Sequence, residues 1–173
     1  RLKNSLDDLR SMTLKVPGEF MPELNKKLSS CGVALIVCPH FPKTKAHGAT
    51  FHLREDKVVL MITIRGSWAD IFWFSLFHEI GHILKHSLKE MILEDHQINN
   101  REKEADEFAS NALILPHQYR RFVEGNCFTS DSIRDFAHQI NLHPGIVVGR
   151  LQHEKIIQPN WGNDLRTRYN WDR

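Results

Sequence analysis

The chain has 173 residues, which is enough for one domain with a hydrophobic core and short for two. Hydrophobic residues make up 41% and charged residues 25%, as in ordinary globular proteins in water. A formal net charge of +2 gives no reason to expect a nucleic-acid or membrane partner, and no apolar stretch is long enough for a membrane span.

Three cysteines, Cys31, Cys38 and Cys127, form neither an even set nor a CxxC pair. They predict free thiols in a reducing cytosol, and hence a cytoplasmic protein. The chain begins at Arg1 without a signal peptide or an initiating Met. We therefore expect a longer protein with an upstream domain.

The N-terminal half predicts a small sheet. Residues 1–16 have the pattern of a polar helix or a linker, broken at Pro17-Gly18, and an amphipathic helix follows over 19–30. Short apolar or β-branched runs predict three strands, at 33–37, 50–54 and 57–64, with a turn at Glu55-Asp56.

From Ser67 onward the pattern becomes helical. A helix capped by Ser67 and running to about Lys85 is apolar almost all round, which predicts that it lies at the centre of the domain. After a polar loop at 86–99, a helix is predicted from about Asn100 to Leu115, where Pro116 stops it, and two more follow, from Ser130 or Asp131 and from Pro144. The last two resemble a helix-turn-helix, but few polar residues could read bases, so we expect them to pack in the core. The predicted fold class is α+β, with a small N-terminal sheet packed on the central helix and a mostly helical C-terminal half.

The central helix carries the motif His78-Glu79-Ile80-Gly81-His82, an H-E-x-x-H. Residues four apart lie on one helix face, so both imidazoles can bind one metal ion, and zinc prefers such nitrogen ligands. Glu79 projects beside them, where it can accept a proton from water as general base. Gly81 is costly inside a helix and indicates that another helix passes close by.

The helix from residue 100 offers a third ligand. Glu102 and Asp106 are four apart and share a face, so Glu102 can bind the metal while Asp106 holds the distal N–H of a ligand histidine. Glu104 is an alternative ligand. His86 continues the face of His82 and could approach the ion, but we expect it to be a surface residue near the helix C-terminus.

Two further roles stay open at this stage. A peptidase needs a donor for the developing oxyanion, and the sequence does not choose among His117, Tyr119, His138, His143 and Arg150. The strand 57–64 precedes the metal helix and could align an extended substrate by main-chain pairing.

The segments Phe74 to His86, Glu102 to Ala109 and Leu113-Ile114-Leu115-Pro116 resemble the ImmA/IrrE family of zinc peptidases. The resemblance implies a gluzincin-like, zincin-type fold in which His78, His82 and Glu102 bind zinc and Glu79 is catalytic. It favours Glu102 over Glu104, because the first Glu of the E-x-x-A-[ND] motif is the ligand. Manganese or iron is a further option for the metal in the cell.

The resemblance also implies a substrate and a division of the chain. Family members often act with, or are fused to, a helix-turn-helix repressor that they cleave, so the expected partner is such a repressor or an antitoxin-type regulator. The expected units are 1–16, a helix or linker from the upstream domain; 17–158, the metallopeptidase domain; and 159–173, a tail. The alternatives are a regulatory module that senses metal or ligand without proteolysis, and a toxin–antitoxin component with a structural metal.

Overall fold

The computed structural model describes residues 1–39, 48–54, 56–64, 67–86 and 95–169, with only the backbone for 95–98. Over these residues the chain is α+β, as predicted, with seven α-helices and one three-stranded sheet. Glu55 of the predicted turn, most of the loop after His86 and the last four residues lie outside the described part. No described helix combines the length and the apolar character that crossing a membrane requires.

The three strands of the sheet follow one another in the first half of the chain, between the second and third α-helices. The helices are α1 (Leu6–Ser11), α2 (Pro17–Ser30), α3 (Ala69–Lys85), α4 (Asp95–Leu113), α5 (Pro116–Glu124), α6 (Ser130–Gln139) and α7 (Pro144–His153). The strands are β1 (Val33–Cys38), β2 (Gly48–Arg54) and β3 (Lys57–Thr63).

The sheet has the order β1-β3-β2, with β1 parallel and β2 antiparallel to β3. Alternate residues of β3, Val58, Leu60 and Ile62, are buried in the core, as a strand with one core-facing side requires. Among the described residues β2 pairs with β3 alone, so β2 is an edge strand.

Helix α3 lies at the centre of the core, as its apolar pattern predicts. Trp73, Leu76, Phe77 and Ile80 on this helix are fully buried. Such a helix has few places for polar side chains, so the histidines and Glu79 need partners from other elements.

The predicted cap of α3 is wrong. Ser67 has a positive φ of 58° and does not cap the helix, which begins after Trp68 without a side-chain cap. The backbone N–H of Ala69 donates instead to the carbonyl of Thr167, 2.9 Å away. The C-terminal segment thus satisfies an N-terminal donor of the helix, which a sequence-local pattern could not reveal.

Both chain ends pack on the same core. Leu9 and Met12 are fully buried, and Tyr169 accepts a hydrogen bond from the indole of Trp73 at 2.7 Å. Arg166 pairs with the buried Asp70 at 2.8 Å, close to the start of α3. The core therefore draws on all three predicted segments, and the division at 16 and 158 stays a prediction.

The starts of α2 and α4 differ from the predictions, and α5 is a helix that the sequence patterns do not predict. Helix α4 begins at Asp95, inside the predicted loop 86–99. Pro17 and Pro116 stand at the first turns of α2 and α5, where the missing N–H of proline has no bond to lose. Helices α6 and α7 follow the prediction, and their core-facing residues, such as Phe136 and Val147, are buried.

Helices α3 and α4 cross at a point where both carry small residues. A Cβ atom built on Gly81 would lie 3.3 Å from the Cα of Ala105 and 3.0 Å from Cδ1 of Phe108. The close helix that the sequence predicts at Gly81 is therefore α4. Its approach brings the acidic residues of α4 towards the histidines of α3.

We expect Gly81→Ala to destabilise the metal-free protein, although alanine is the better helix former. The added methyl must displace α4, and such overpacking costs about 1–3 kcal/mol against a propensity gain of about 1 kcal/mol. Urea unfolding in a chelating buffer measures the difference. Gly18→Ala in α2 is the matched control, because nothing lies within 4 Å of its added Cβ. An unfolding midpoint of Gly81→Ala equal to the wild type would contradict this account of the crossing.

Candidate metal centre

The two histidines of the H-E-x-x-H motif point at each other. One helical turn separates His78 and His82, and their Nε2 atoms lie 3.0 Å apart. Both side chains are mostly buried, with 16% and 20% of their surface exposed. Burial lowers the pKa of His82, and the neighbouring His78 lowers it further, so the neutral imidazole that can bind a metal is favoured.

Glu102 of α4 completes the group. Its Oε2 lies 3.3 Å from Nε2 of His78, and its Oε1 lies 3.3 Å from Nε2 of His82. The side chain as a whole is 54% exposed, so solvent reaches the group from the side of α4. The alternative ligand of the sequence analysis, Glu104, contacts neither of these two histidines among the described contacts.

The three side chains fit a divalent cation. Zinc bonds of about 2.0–2.1 Å in a tetrahedral arrangement place neighbouring ligand atoms about 3.3 Å apart, close to the distances found here. The ligand atoms of His78, His82 and Glu102 all lie within 4.8 Å of one another. Two imidazole nitrogens and a carboxylate that converge in this way present electron pairs to one point, and a cation satisfies all of them.

Asp106 supports the first histidine. Its Oδ1 lies 2.8 Å from Nδ1 of His78, one turn along α4 from Glu102. A carboxylate only accepts hydrogen bonds, so Nδ1 carries the proton and Nε2 keeps its electron pair for a metal. This is the contact that the sequence analysis expects of Asp106.

His86 is not the surface residue that the sequence predicts. Only 10% of its side chain is exposed, and its Nδ1 lies 3.0 Å from Nδ1 of His82. Its other ring nitrogen, Nε2, lies 3.1 Å from Oε2 of Glu104. The prediction is wrong because α4 covers the end of α3, which a single helical pattern does not indicate.

Glu79 is buried against the edge strand β2. Only 6% of the residue is exposed, and the hydroxyl of Thr50 donates to its Oε2 at 2.6 Å. A Cβ on Gly48 would overlap Glu79, with its Oε1 at 2.5 Å, so glycine is needed there for the carboxylate to lie flat on the strand. Burial raises the pKa of Glu79, and the hydrogen bond from Thr50 opposes that rise.

Thr50 and Gly48 are the site residues that the sequence analysis misses. The only signal for them in the sequence is that they are two positions apart in a short strand, which places both side chains on one face of the sheet. The suggestion that strand 57–64 aligns the substrate is wrong. It forms the central strand β3, whose two hydrogen-bonding edges are occupied by β1 and β2, whereas β2 is the edge strand beside Glu79.

The candidates for an oxyanion donor are engaged elsewhere or exposed. Tyr119 donates to Glu154 at 2.9 Å, and Arg150 donates to the carbonyl of Ser110 at 2.8 Å. His143 accepts from the N–H of Gly145. The two remaining candidates, His117 and His138, are exposed.

We expect Glu79→Gln to stabilise the metal-free protein at neutral pH. The pKa of Glu79 is raised in the fold, so its contribution to stability is full below the unfolded pKa and is lost as the pH rises through the folded pKa. Glutamine keeps the carbonyl that Thr50 can bond and carries no charge. Urea unfolding with a chelator at pH 4 and pH 7.5 measures the effect, with the exposed Glu107→Gln as the control. A gain that is the same at both pH values would contradict burial of the charge as its cause.

The comparisons with known proteins agree with this geometry. The sequence model of the family described as Peptidase M78, IrrE N-terminal-like domain, matches residues 41–125, which include His78, Glu79, His82 and Glu102. No curated protein matched the chain. The resemblance to the ImmA/IrrE peptidases is therefore confirmed by the match of residues 41–125 to the model of that family.

Proposed function

We propose that the protein is a zinc-dependent endopeptidase that cleaves a protein substrate. The observation that carries the proposal is the pairing of a His-His-Glu group with a buried carboxylate. Glu79 lies next to His78 in the chain and is bound by Thr50 of β2, and it is not one of the three candidate ligands. A metal that served only the fold would need no such carboxylate.

The ligand set supports a catalytic rather than a structural metal. Structural zinc sites take four Cys or His ligands, whereas catalytic sites take three protein ligands and keep a position open. Among the described residues the group consists of His78, His82 and Glu102, and none of the three cysteines belongs to it. The half-exposed Glu102 leaves that side accessible to a substrate.

His78, His82 and Glu102 would hold the ion. Zinc bound there would supply a Lewis acid that activates water and polarises a peptide carbonyl. Asp106 fixes the ring of His78 so that its Nε2 faces the ion. Iron or manganese would be held by the same atoms with a different geometry.

Glu79 would move the proton. Its carboxylate accepts a proton from the attacking water and then donates it to the nitrogen of the leaving amine. Burial raises the pKa of Glu79, which improves it as a base near neutral pH, while the hydrogen bond from Thr50 opposes that rise and fixes the direction of the carboxylate. Glu79, the proposed base, is therefore a residue of α3 whose side chain is positioned by strand β2.

The substrate would be an extended peptide segment. Strand β2 lies beside Glu79, and on its outer edge it has no partner strand among the described residues. Main-chain pairing along such an edge would hold a peptide stretched past the site, and neighbouring side chains would choose its sequence. We take the substrate to be a cytoplasmic helix-turn-helix repressor or antitoxin-type regulator, as the family resemblance implies.

We expect Glu79→Gln to abolish cleavage and to keep zinc. General-base catalysis contributes about 10²–10⁴-fold, so turnover falls by at least that order. The substrate is found by labelling new protein N-termini in host cells that express wild type or Glu79→Gln. The result expected is a new N-terminus, absent with the variant, inside a helix-turn-helix regulator.

Zinc content of the purified variants is the control for this experiment. Equal zinc in wild type and Glu79→Gln assigns the loss of cleavage to the base. If regulation of the host genes persists in Glu79→Gln and no cleavage is seen in wild type, the protein is a non-proteolytic sensor, and the peptidase proposal is wrong.

We expect Thr50→Val to slow cleavage by about tenfold to a hundredfold without loss of zinc. A hydrogen bond to a charged group is worth about 1.5–3 kcal/mol, and valine leaves Oε2 of Glu79 without its donor. Thr50→Ser keeps the hydroxyl and should retain most of the rate. The measurement is kcat on the substrate identified above, and equal rates for the valine and serine variants would contradict a role for the hydroxyl.

A further inference from the structure

His82 has contacts at both ring nitrogens, and only one of them faces the metal position. Its Nε2 lies near Nε2 of His78 and Oε1 of Glu102, at 3.0 and 3.3 Å. Its Nδ1, on the far side of the ring, lies 3.0 Å from Nδ1 of His86. The second contact is therefore behind the metal ligand and needs a separate explanation.

His86 is badly placed to be a ligand itself. The atom of His86 nearest to His82 meets the nitrogen that points away from His78 and Glu102. Its remaining nitrogen, Nε2, is 3.1 Å from Oε2 of Glu104. Both nitrogens of His86 thus have partners outside the group of ligand atoms.

His82, His86 and Glu104 form a row of two contacts, and the carboxylate of Glu104 decides which nitrogen donates in each. Glu104 only accepts, so Nε2 of His86 carries a hydrogen. The other nitrogen of a neutral His86 then accepts, and Nδ1 of His82 must be the donor. Nε2 of His82 consequently keeps its electron pair, on the side where His78 and Glu102 converge.

We propose that His86 and Glu104 are positioning residues that hold His82 in the tautomer and orientation needed to bind the metal. Asp106 holds the ring of His78 directly, whereas Glu104 holds the ring of His82 through His86. The low exposure of His86 supports a fixed role, since only a tenth of its side chain reaches solvent. This inference rests on the proposed metal centre and extends it to His86, at the C-cap of α3, and to Glu104, a third acidic residue of α4.

Zinc affinity of the full chain, measured by competition with a chromophoric chelator, tests the inference. Loss of an outer partner of a metal-bound histidine typically weakens metal binding about 10–100-fold, and we expect a loss of that order for His86→Ala. The exposed His138→Ala on α6 is the matched control and should bind zinc as the wild type does.

His86→Asn separates positioning from a structural role. The amide oxygen of asparagine can accept from Nδ1 of His82, so we expect it to recover most of the affinity. His86 is the C-cap of α3 and has an extended backbone that alanine and asparagine can both adopt, so a purely structural role would not restore zinc affinity in the asparagine variant alone. Glu104→Ala, at a half-exposed position on α4, provides a second test without risk to folding, and a smaller loss of affinity is expected.

Cobalt substitution reports on the coordination itself. The visible spectrum of the cobalt protein should keep its form in His86→Ala and change in His82→Ala. A changed spectrum in His86→Ala would make His86 a ligand and overturn the inference. Wild-type affinity in both His86→Ala and Glu104→Ala would also overturn it while leaving the peptidase proposal intact, whereas failure of the wild type to bind zinc would overturn the metal centre itself.

Discussion

The crossing of α3 and α4 at Gly81 and Ala105 is the contact on which the candidate metal centre depends. Without a side chain at 81, the backbone of α4 can lie against α3, and the residues on either side of Ala105 are brought to the histidines. Glu102 then meets both imidazoles, and Asp106 meets the far side of His78. The distances among the three candidate ligands are thus set by Gly81 and Ala105, which are not ligands themselves.

The histidines and Glu79 of the buried helix find partners on different neighbouring elements. Helix α4 supplies acceptors for the histidines, and the edge strand β2 supplies a donor for Glu79. Burial of an ionised carboxylate opposes folding, and burial raises the pKa of Glu79, which suits the proposed role of this residue as a base. Stability and the proposed activity therefore make opposite demands on Glu79.

Much of this site could be predicted because its main signals are local. The pair His78 and His82 and the pair Glu102 and Asp106 each lie on one face of one helix, and Gly81 indicates the close approach between the two helices. Strand order is different in kind, because nothing in the residues of 50–54 and 57–64 decides which of them is central. The cap of α3 and the position of His86 depend on distant segments, Thr167 and Glu104, that no sequence window contains.

The contact between β2 and Glu79 makes the pairing of the sheet matter for chemistry. Gly48 and Thr50 face the carboxylate because they are two apart, and Ala49 and Phe51 alternate with them. If β2 slid by one residue against β3, a methyl group and a phenyl ring would replace the open space and the hydroxyl at the base. The proposed role of Glu79 as a base therefore requires one register of β2 against β3. A protein with a shifted register could fold and still lack the proposed peptidase activity.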